Sequence, residues 1–229
     1  MGKKKIVGED GNVYVQKKPF YKRWWFILIV IVVVLGAIGS LGGGGGDTSS
    51  SSGTNSNSES SAPEDYVSYQ KNSEATDNEN AAAKKAVNYI KTVHLSRQGV
   101  YDQLMQMHDY TAEECQYAVD HITCDWNQVA LAKAQSYIDT QAFSQKGLYD
   151  QLTSTFEQFT AEEAQYAVDN VQADWNAEAL EAAEGYYNTM NMVGQELYNQ
   201  LVSEYGNKFT AEQAQYAVDN LDPSKLDAQ

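Results

Sequence analysis

All three histidines and both cysteines of this 229-residue chain lie in one stretch, from His94 to Cys124. Imidazole and thiol groups bind zinc, and a cysteine beside a histidine can act as a nucleophile. The spacing favours neither chemistry, because the stretch holds no Cys-x-x-Cys or His-x-x-x-His pair. The sequence also has no glycine-rich phosphate loop, serine triad or paired-carboxylate motif. We therefore predict no catalytic residue, no metal site, no cofactor and no enzyme activity.

This stretch belongs to the first of three copies of one sequence unit. Thr111 to Asp120 returns with few changes as Thr160 to Asp169 and again as Thr210 to Asp219. The copies begin 49 and 50 positions apart, a period typical of helical repeat arrays. Repetition of this kind predicts a binding or scaffolding protein rather than one with a single catalytic pocket.

Comparison of the copies removes the apparent chemical site. The later units carry ordinary core, cap or surface residues where the first has histidine or cysteine. His94 aligns with Ala142 and Asn191, His108 with Phe156 and Tyr205, His121 with Asn170 and Asn220, and Cys115 with Ala164 and Ala214. Cysteine can serve as a small buried helix residue. A disulfide between Cys115 and Cys124 outside the cell is the alternative to two free thiols.

Each unit is predicted to form three short helices. In the second unit the apolar residues of the first helix recur at helical spacing and form one stripe: Ala130, Leu131, Ala134, Tyr137 and Ile138. The second helix opens at Ser96 or Ser144 and closes near Phe156. The predicted fold class is therefore all-α, a tandem array of three three-helix, helix-turn-helix-like repeats behind a transmembrane helix and a disordered linker.

Caps define where the first and third helices begin. Asp125 and Asp174 precede the first helices of units two and three as N-caps. The third helix of every unit begins with a capping box, formed by Thr111 with Glu114, Thr160 with Glu163, and Thr210 with Gln213. Each cap stabilises its helix by about 1 kcal/mol.

The third helices hold the candidate partner-binding residues. These are Glu113, Glu114, Tyr117, Asp120, Glu162, Glu163, Tyr166, Asp169, Glu212, Tyr216 and Asp219. The three tyrosines lie between alanine and valine neighbours, which favours a core or interface role, and stacking on a ligand is the alternative. Trp126 and Trp175 lie at the seams between units, where we expect them to pack adjacent modules together rather than to bind sugar.

The charge of the repeats excludes nucleic acid as a partner. From residue 81 onward there are 22 acidic and 8 basic residues, a net charge of -14. A DNA-reading helix needs arginine or lysine for phosphates and base edges, whereas Thr160 to Asn170 has acidic residues and no basic one. A basic or amphipathic protein segment suits this charge.

The N-terminal region is predicted to anchor the chain. Residues 1–23 are basic, and an uncharged apolar run follows from Trp24 to Leu41. As a helix that run would span about 27 Å, close to a bilayer core. The positive-inside bias places residues 1–23 in the cytoplasm and the repeats at the surface of a Gram-positive cell. The alternative is a signal peptide cleaved near residues 37–39, which would release the repeats.

A tether and three repeats complete the predicted organisation. Residues 42–80 are rich in glycine and serine and hold too few apolar side chains to offset chain ordering, so we predict a disordered linker. A random coil of that length would put the repeats about 35 Å from the membrane. The repeats are predicted at residues 81–126, 127–175 and 176–229.

Two segments of the second unit, and a tripeptide at its boundary with the third, resemble a known repeat family. Tyr137 to Leu152, Phe159 to Asn170 and the Asp-Trp-Asn sequence at residues 174–176 are similar to the Ltp-type repeat of host-cell surface-exposed lipoproteins. The resemblance extends over residues 82–226. It implies superinfection exclusion at the outer face of the membrane, with the tape-measure protein of an incoming phage as the target.

The sequence departs from that family in two respects. No cysteine ends the apolar run at Trp24 to Leu41, so lipidation by the bacterial lipoprotein route is not predicted and a membrane helix takes its place. The chain also has three units, whereas the known member of this family from temperate phages has two. We expect a membrane-anchored binding protein that captures a phage injection protein. The alternatives are a wall-associated adhesion module and a wall hydrolase, and no oligomeric state is predicted.

Overall fold

The structure, a computed structural model, describes residues 5–7, 13–15 and 66–226. The chain divides into two units, residues 1–55 and 56–229. The predicted membrane segment at residues 24–41 lies outside the described residues, as does most of the predicted linker. Within the described ranges, none of the helices combines the length and the apolar character needed to cross a bilayer.

The first unit contains a small antiparallel sheet inside the predicted basic segment. Strand β1 (Lys5–Val7) pairs with β2 (Val13–Val15), and Ile6 lies opposite Tyr14. Valine, isoleucine and tyrosine favour extended backbone, and the sequence between the strands contains Gly, Asp and Asn, which favour turns. The prediction for this segment was based on its charge, which does not reveal a hairpin.

The second unit confirms the all-α prediction of three three-helix repeats. Repeat 1 comprises α1 (Asp77–Val93), α2 (Arg97–Gln106) and α3 (Ala112–His121); repeat 2 comprises α4 (Trp126–Ile138), α5 (Gln145–Leu152) and α6 (Ala161–Asn170); repeat 3 comprises α7 (Trp175–Met190), α8 (Gly194–Val202) and α9 (Ala211–Asn220). A short helix, α10 (Pro223–Leu226), follows repeat 3 and contacts α7.

The first and third helices of each repeat pack side by side, and the second helix contacts both. In α4 the predicted stripe is directed inward: Ala130 and Ala134 are fully buried, and Tyr137 is half-buried. Small side chains at the contact points allow two helices to approach closely. The third helices bury alanines in the same way, at Ala164 and Ala167 in α6. Each repeat is therefore a pair of helices with a further helix packed against both.

The predicted N-caps form, and one helix end differs from its prediction. Asp125, Asp174, Ser96 and Ser144 all accept hydrogen bonds from amides in the first turns of their helices. The prediction that the second helix closes near Phe156 is wrong, because α5 ends at Leu152. The chain turns back there, and the amide of Phe159 donates to the carbonyl of Leu152 at 3.0 Å. Phe156 consequently lies in the loop between α5 and α6.

Residues 66–80 belong to the folded part of the second unit. Residues 66–80 were assigned to a disordered linker, and this assignment is wrong for them. Strand β3 (Val67–Ser68) pairs with β4 (Thr123–Cys124), with Val67 opposite Cys124 and buried. The Tyr69 hydroxyl donates to the Asn80 side chain at 2.8 Å. Tyr66, Val67 and Tyr69 supply the apolar surface that the rest of the predicted linker lacks.

The buried side chains form two clusters. One runs through repeats 1 and 2, from Val67 to Val168, and the other lies within repeat 3, from Ala179 to Ala217. Trp126 and Trp175 are half-buried, and both pack against the first cluster. Trp175 begins repeat 3 but contacts the core of the preceding repeats, so it packs across the seam as expected.

Candidate protein-binding surface

A capping box fixes the start of α3, α6 and α9. The Thr111 hydroxyl accepts a hydrogen bond from the Glu114 amide at 3.2 Å, and the Glu114 carboxylate accepts from the Thr111 amide at 2.8 Å. Thr160 with Glu163 and Thr210 with Gln213 repeat this pair. Hydrogen bonding by the Thr111 amide holds the pKa of the Glu114 carboxyl below its usual value. Glu114 and Glu163, two of the predicted binding residues, thus hold the helix starts.

The other first-turn carboxylates lie in solvent. They belong to Glu113, Glu162 and Glu212, which are all exposed. The opposite face of each helix is buried against the first helix of its repeat, so these carboxylates are directed away from the core. Negative charge near a helix N-terminus is stabilising in itself. Their exposure leaves them accessible to a partner.

The last-turn aspartates differ between repeats. Asp120, Asp169 and Asp219 each accept a hydrogen bond from the glutamine four residues earlier. Asp120 also forms an ion pair with Arg97. The bond from Gln116, and then the Arg97 guanidinium, lower the pKa of Asp120. Gln145 and Gly194 occupy the position of Arg97 in the later repeats, and in the described part of the chain Asp169 and Asp219 form no ion pair.

The three tyrosines are covered to different extents. The Tyr117 hydroxyl accepts from the Asn72 side chain at 3.0 Å, and the Tyr117 ring stacks on His121 with 3.9 Å between centroids. The Tyr166 hydroxyl accepts from the Gln128 side chain at 2.8 Å. Both rings are half-buried, whereas Tyr216 is 41% exposed. The expected interface role fits the first two tyrosines better than the third.

The histidines and cysteines occupy separate structural positions. His94 ends α1 with a left-handed backbone, as Asn191 ends α7, and its Nδ1 lies 3.2 Å from the Tyr66 hydroxyl. Burial lowers the pKa of His94. Within the described ranges, no group of three or more His, Cys, Asp or Glu side chains could hold a metal ion.

Both cysteines are free thiols, so the disulfide alternative is wrong for this structure. Cys115 is fully buried at the position of Ala164 and Ala214. Burial raises the pKa of Cys115, and burial together with the Asp125 carboxylate raises the pKa of Cys124 to about 12. A thiol with so high a pKa is a poor nucleophile at neutral pH.

The sequence analysis missed one set of exposed residues. The loops between the second and third helices present Met107, Phe156 and Tyr205, of which Tyr205 is 78% exposed. The available signal was the turn-forming residue beside each aromatic, Ser154 near Phe156 and Gly206 after Tyr205. The loops that hold Phe156 and Tyr205 lie at the seams, because each contacts the second helix of the preceding repeat through Gln158 or Lys208.

Comparison with known proteins identifies the repeat. The family profile described as host cell surface-exposed lipoprotein matches residues 77–122, 125–171 and 174–221. Among solved structures, that of Ltp, a superinfection exclusion protein from the Streptococcus thermophilus temperate phage TP-J34, is 38% identical in sequence. The match covers 42% of this chain and 95% of that chain, with a TM-score of 0.39. None of the curated proteins matches.

Proposed function

Because the chain belongs to the host cell surface-exposed lipoprotein family, we propose that it acts in superinfection exclusion. In this proposal the repeats stand at the outer face of the membrane and bind a protein that an incoming phage injects, such as its tape-measure protein. Binding would block DNA injection after the phage has adsorbed. The chain would act by binding alone and not as an enzyme.

The match of three tandem repeats to one family carries the proposal. Two properties of the repeats support a protein partner. Each third helix presents exposed carboxylates on its outer face, and the region from residue 81 onward has a net charge of -14. Such a surface attracts basic protein segments and repels nucleic acid and anionic wall polymers.

Infection assays test the exclusion role. We expect a sensitive Gram-positive host that expresses the chain to adsorb phage normally and to show reduced DNA injection and fewer plaques for at least one phage of a panel. A form truncated after residue 65 is the control for effects of expression alone. Unchanged plaque counts across the panel would contradict the proposal. Adhesion without exclusion would instead support the wall-associated alternative.

A charge-neutralised variant tests the binding surface. The change replaces Glu162, Glu163, Asp169, Glu212 and Asp219 with Gln or Asn, which leaves the Thr160 capping box able to form. We expect weaker capture of the phage protein and loss of exclusion. The matched control neutralises five exposed acids elsewhere, at Glu74, Asp77, Asp139, Glu181 and Glu196. Equal weakening in both variants would mean that net charge, and not this surface, governs binding.

The membrane anchor is also part of the proposal. Residues 24–41 would hold the chain in the membrane with the basic segment inside, in place of the lipid of a lipoprotein. We expect the protein to stay with membranes after a high-salt wash and to keep Met1 or Gly2 as its N-terminus. A new N-terminus near Ser40 would indicate signal-peptide cleavage. Incubation with purified peptidoglycan should release no fragments, since no hydrolase activity is proposed.

A further inference from the structure

The outer faces of α3, α6 and α9 have the same sequence pattern but different surroundings. In repeat 1 the Asn72 side chain donates a hydrogen bond to the Tyr117 hydroxyl, and in repeat 2 the Gln128 side chain donates one to the Tyr166 hydroxyl. Ala177 occupies the position of Gln128 in repeat 3, and alanine has no polar group to reach a tyrosine hydroxyl. Tyr216 is correspondingly the most exposed of the three tyrosines. The tyrosine ring is therefore more accessible in the third copy of the surface than in the first two.

The net charge of the repeats becomes more negative from repeat 1 to repeat 3, the repeat with the most exposed tyrosine. Over residues 77–122, 125–171 and 174–221 the net charge is -3, -5 and -7. Repeat 1 places Arg97 against Asp120, whereas Lys208, the one basic residue within residues 174–221, pairs with Asp150 of repeat 2. Within residues 174–221, no basic side chain is thus left to neutralise the outer face of α9. Attraction of a cationic partner is greatest at this repeat.

The geometry of α9 brings an aromatic ring and two carboxylates together. Glu212, Tyr216 and Asp219 follow one another at spacings of four and three residues, so they share one face of the helix. Ala214 and Ala217 are buried on the opposite face. A lysine or arginine that lies over an exposed tyrosine ring is attracted by the electrons of the ring face, and a carboxylate on each side adds attraction.

Repeat 3 also carries most of the exposed large apolar side chains. Six large apolar side chains are exposed among the described residues. Four of them belong to repeat 3: Met190, Val193, Tyr205 and Tyr216. A partner that combines positive charge with apolar side chains would match both properties. Repeat 1 contributes Met107 to this set and repeat 2 contributes Phe156.

We infer that the outer face of α9, defined by Glu212, Tyr216 and Asp219, is the main docking site for a cationic amphipathic protein segment. The equivalent faces of α3 and α6 contribute little, because their tyrosines are half-buried and their hydroxyls are already hydrogen-bonded. The inference rests on the proposed function for the identity of the partner. The inference states which repeat makes the contact. Binding of a defined peptide tests this assignment separately from the exclusion role.

Three matched variants test this assignment in the purified full-length protein in detergent. Each replaces the glutamate, tyrosine and aspartate of one outer face with Gln, Leu and Asn: residues 113, 117 and 120 in α3; 162, 166 and 169 in α6; 212, 216 and 219 in α9. The probe is a fluorescein-labelled amphipathic peptide of lysine and leucine. We expect the α9 variant to bind it on the order of tenfold more weakly and the other two to remain within about twofold of the unmodified protein.

The aromatic contribution is measured by single variants. Tyr216→Leu should weaken binding while Tyr216→Phe retains most of it, because phenylalanine keeps the ring face. Far-UV circular dichroism checks that α9 still folds, and a weaker salt dependence is expected for Glu212→Gln with Asp219→Asn. Equal loss in all three helix variants, or no loss in any, would overturn the assignment to α9. An α9 variant that loses the peptide but still excludes phage would overturn it too, and would leave the exclusion role standing.

Discussion

The junction between repeats 1 and 2 and the junction between repeats 2 and 3 join the same elements by different interactions. Across the first junction the buried side chains form one apolar cluster. Across the second junction the clusters are separate. Ala142 of repeat 2 packs against the cluster of repeat 3, and Trp175 of repeat 3 packs against the cluster of repeats 1 and 2. Polar contacts also join repeats 2 and 3 at this junction. The Phe143 amide donates to the Glu178 carboxylate at 3.1 Å, and the Ser144 hydroxyl donates to the Asn207 carbonyl.

The two kinds of junction differ in their expected strength. Two ion pairs also cross the second junction, Lys146 with Glu204 and Lys208 with Asp150. Exposed ion pairs contribute about 0–1 kcal/mol each, whereas burial of apolar area contributes about 25 cal/mol per Å². In repeat arrays stability depends on such nearest-neighbour terms. We therefore expect repeats 1 and 2 to unfold as one unit and repeat 3 to unfold more independently.

The largest effect is expected from a buried ion pair in repeat 2. Lys133 Nζ lies 3.1 Å from the Glu157 carboxylate, which is buried and also accepts from the Tyr137 hydroxyl. Lys133→Ala leaves that carboxylate without its cation, which should cost about 3–5 kcal/mol. Urea unfolding monitored by circular dichroism measures the loss. Hydrogen exchange should place it in repeats 1 and 2, since Lys133 also donates to the Val93 carbonyl.

Repeat 3 provides the matched control. It carries Ala182 and Asn207 at the positions of Lys133 and Glu157, and the Tyr186 hydroxyl donates to Asn207 at 2.7 Å. The double variant Lys133→Ala with Glu157→Asn copies this uncharged arrangement and should recover most of the lost stability. If the double variant is as unstable as the single one, the lysine stabilises the junction through its packing and not through its charge.

A smaller, pH-dependent effect is expected at the second junction. Glu178 is buried, and burial raises the pKa of its carboxyl, with Glu181, Asp174 and Asp139 adding to the increase. The folded chain thus keeps a proton that the unfolded chain loses above a pH of about 4.3. Stability should therefore fall as pH rises from there through the raised pKa of Glu178.

Glu178→Gln should remove this pH dependence, because the amide stays neutral and its oxygen can still accept from the Phe143 amide. Melting temperatures from pH 4 to pH 7 measure the effect. The variant should be more stable than the unmodified chain at pH 7, with a difference that narrows towards pH 4. Glu184→Gln, a change on the same helix at a side chain that does not contribute to the raised pKa of Glu178, is the control. A variant that melts at a lower temperature at pH 7 would show that the ionised carboxylate stabilises the junction.

Local interactions explain which parts of the fold were predictable. The Thr111 capping box and the Asp125 cap join residues two or three positions apart, so the sequence pattern contains them. The apolar stripes of the first helices are equally local. The end of α5 was missed because it depends on how the loop to Phe159 folds back. Strand β3 was missed because its partner, β4, lies in a distant part of the sequence.

The same distinction applies to the candidate site. The acidic positions of α3, α6 and α9 could be read from the repeated sequence, and the structure leaves three of the glutamates exposed. The difference among the tyrosines could not be read in this way. The partner of Tyr117 lies 45 positions away and that of Tyr166 lies 38 positions away. Comparison of identical motifs cannot reveal contacts that lie outside them.

The smallest effect is expected at the start of α8, where the repeats also differ. Ser96 and Ser144 cap the second helices of repeats 1 and 2, but Val193 takes this position in repeat 3 and makes no side-chain cap. Val193 is 50% exposed, so Val193→Ser leaves no cavity. The added hydroxyl should stabilise repeat 3 by about 1 kcal/mol, measured as slower hydrogen exchange in α8.

Val193→Ala separates the cap from the loss of an exposed apolar side chain. Alanine removes the valine side chain without supplying a hydroxyl, so it should leave exchange in α8 nearly unchanged. Equal protection by serine and alanine would mean that the cap contributes nothing. In that case Glu196, in the first turn of α8, already offsets the free amides through its favourable position near the helix N-terminus. The polar junction and the uncapped helix would then be independent properties of repeat 3.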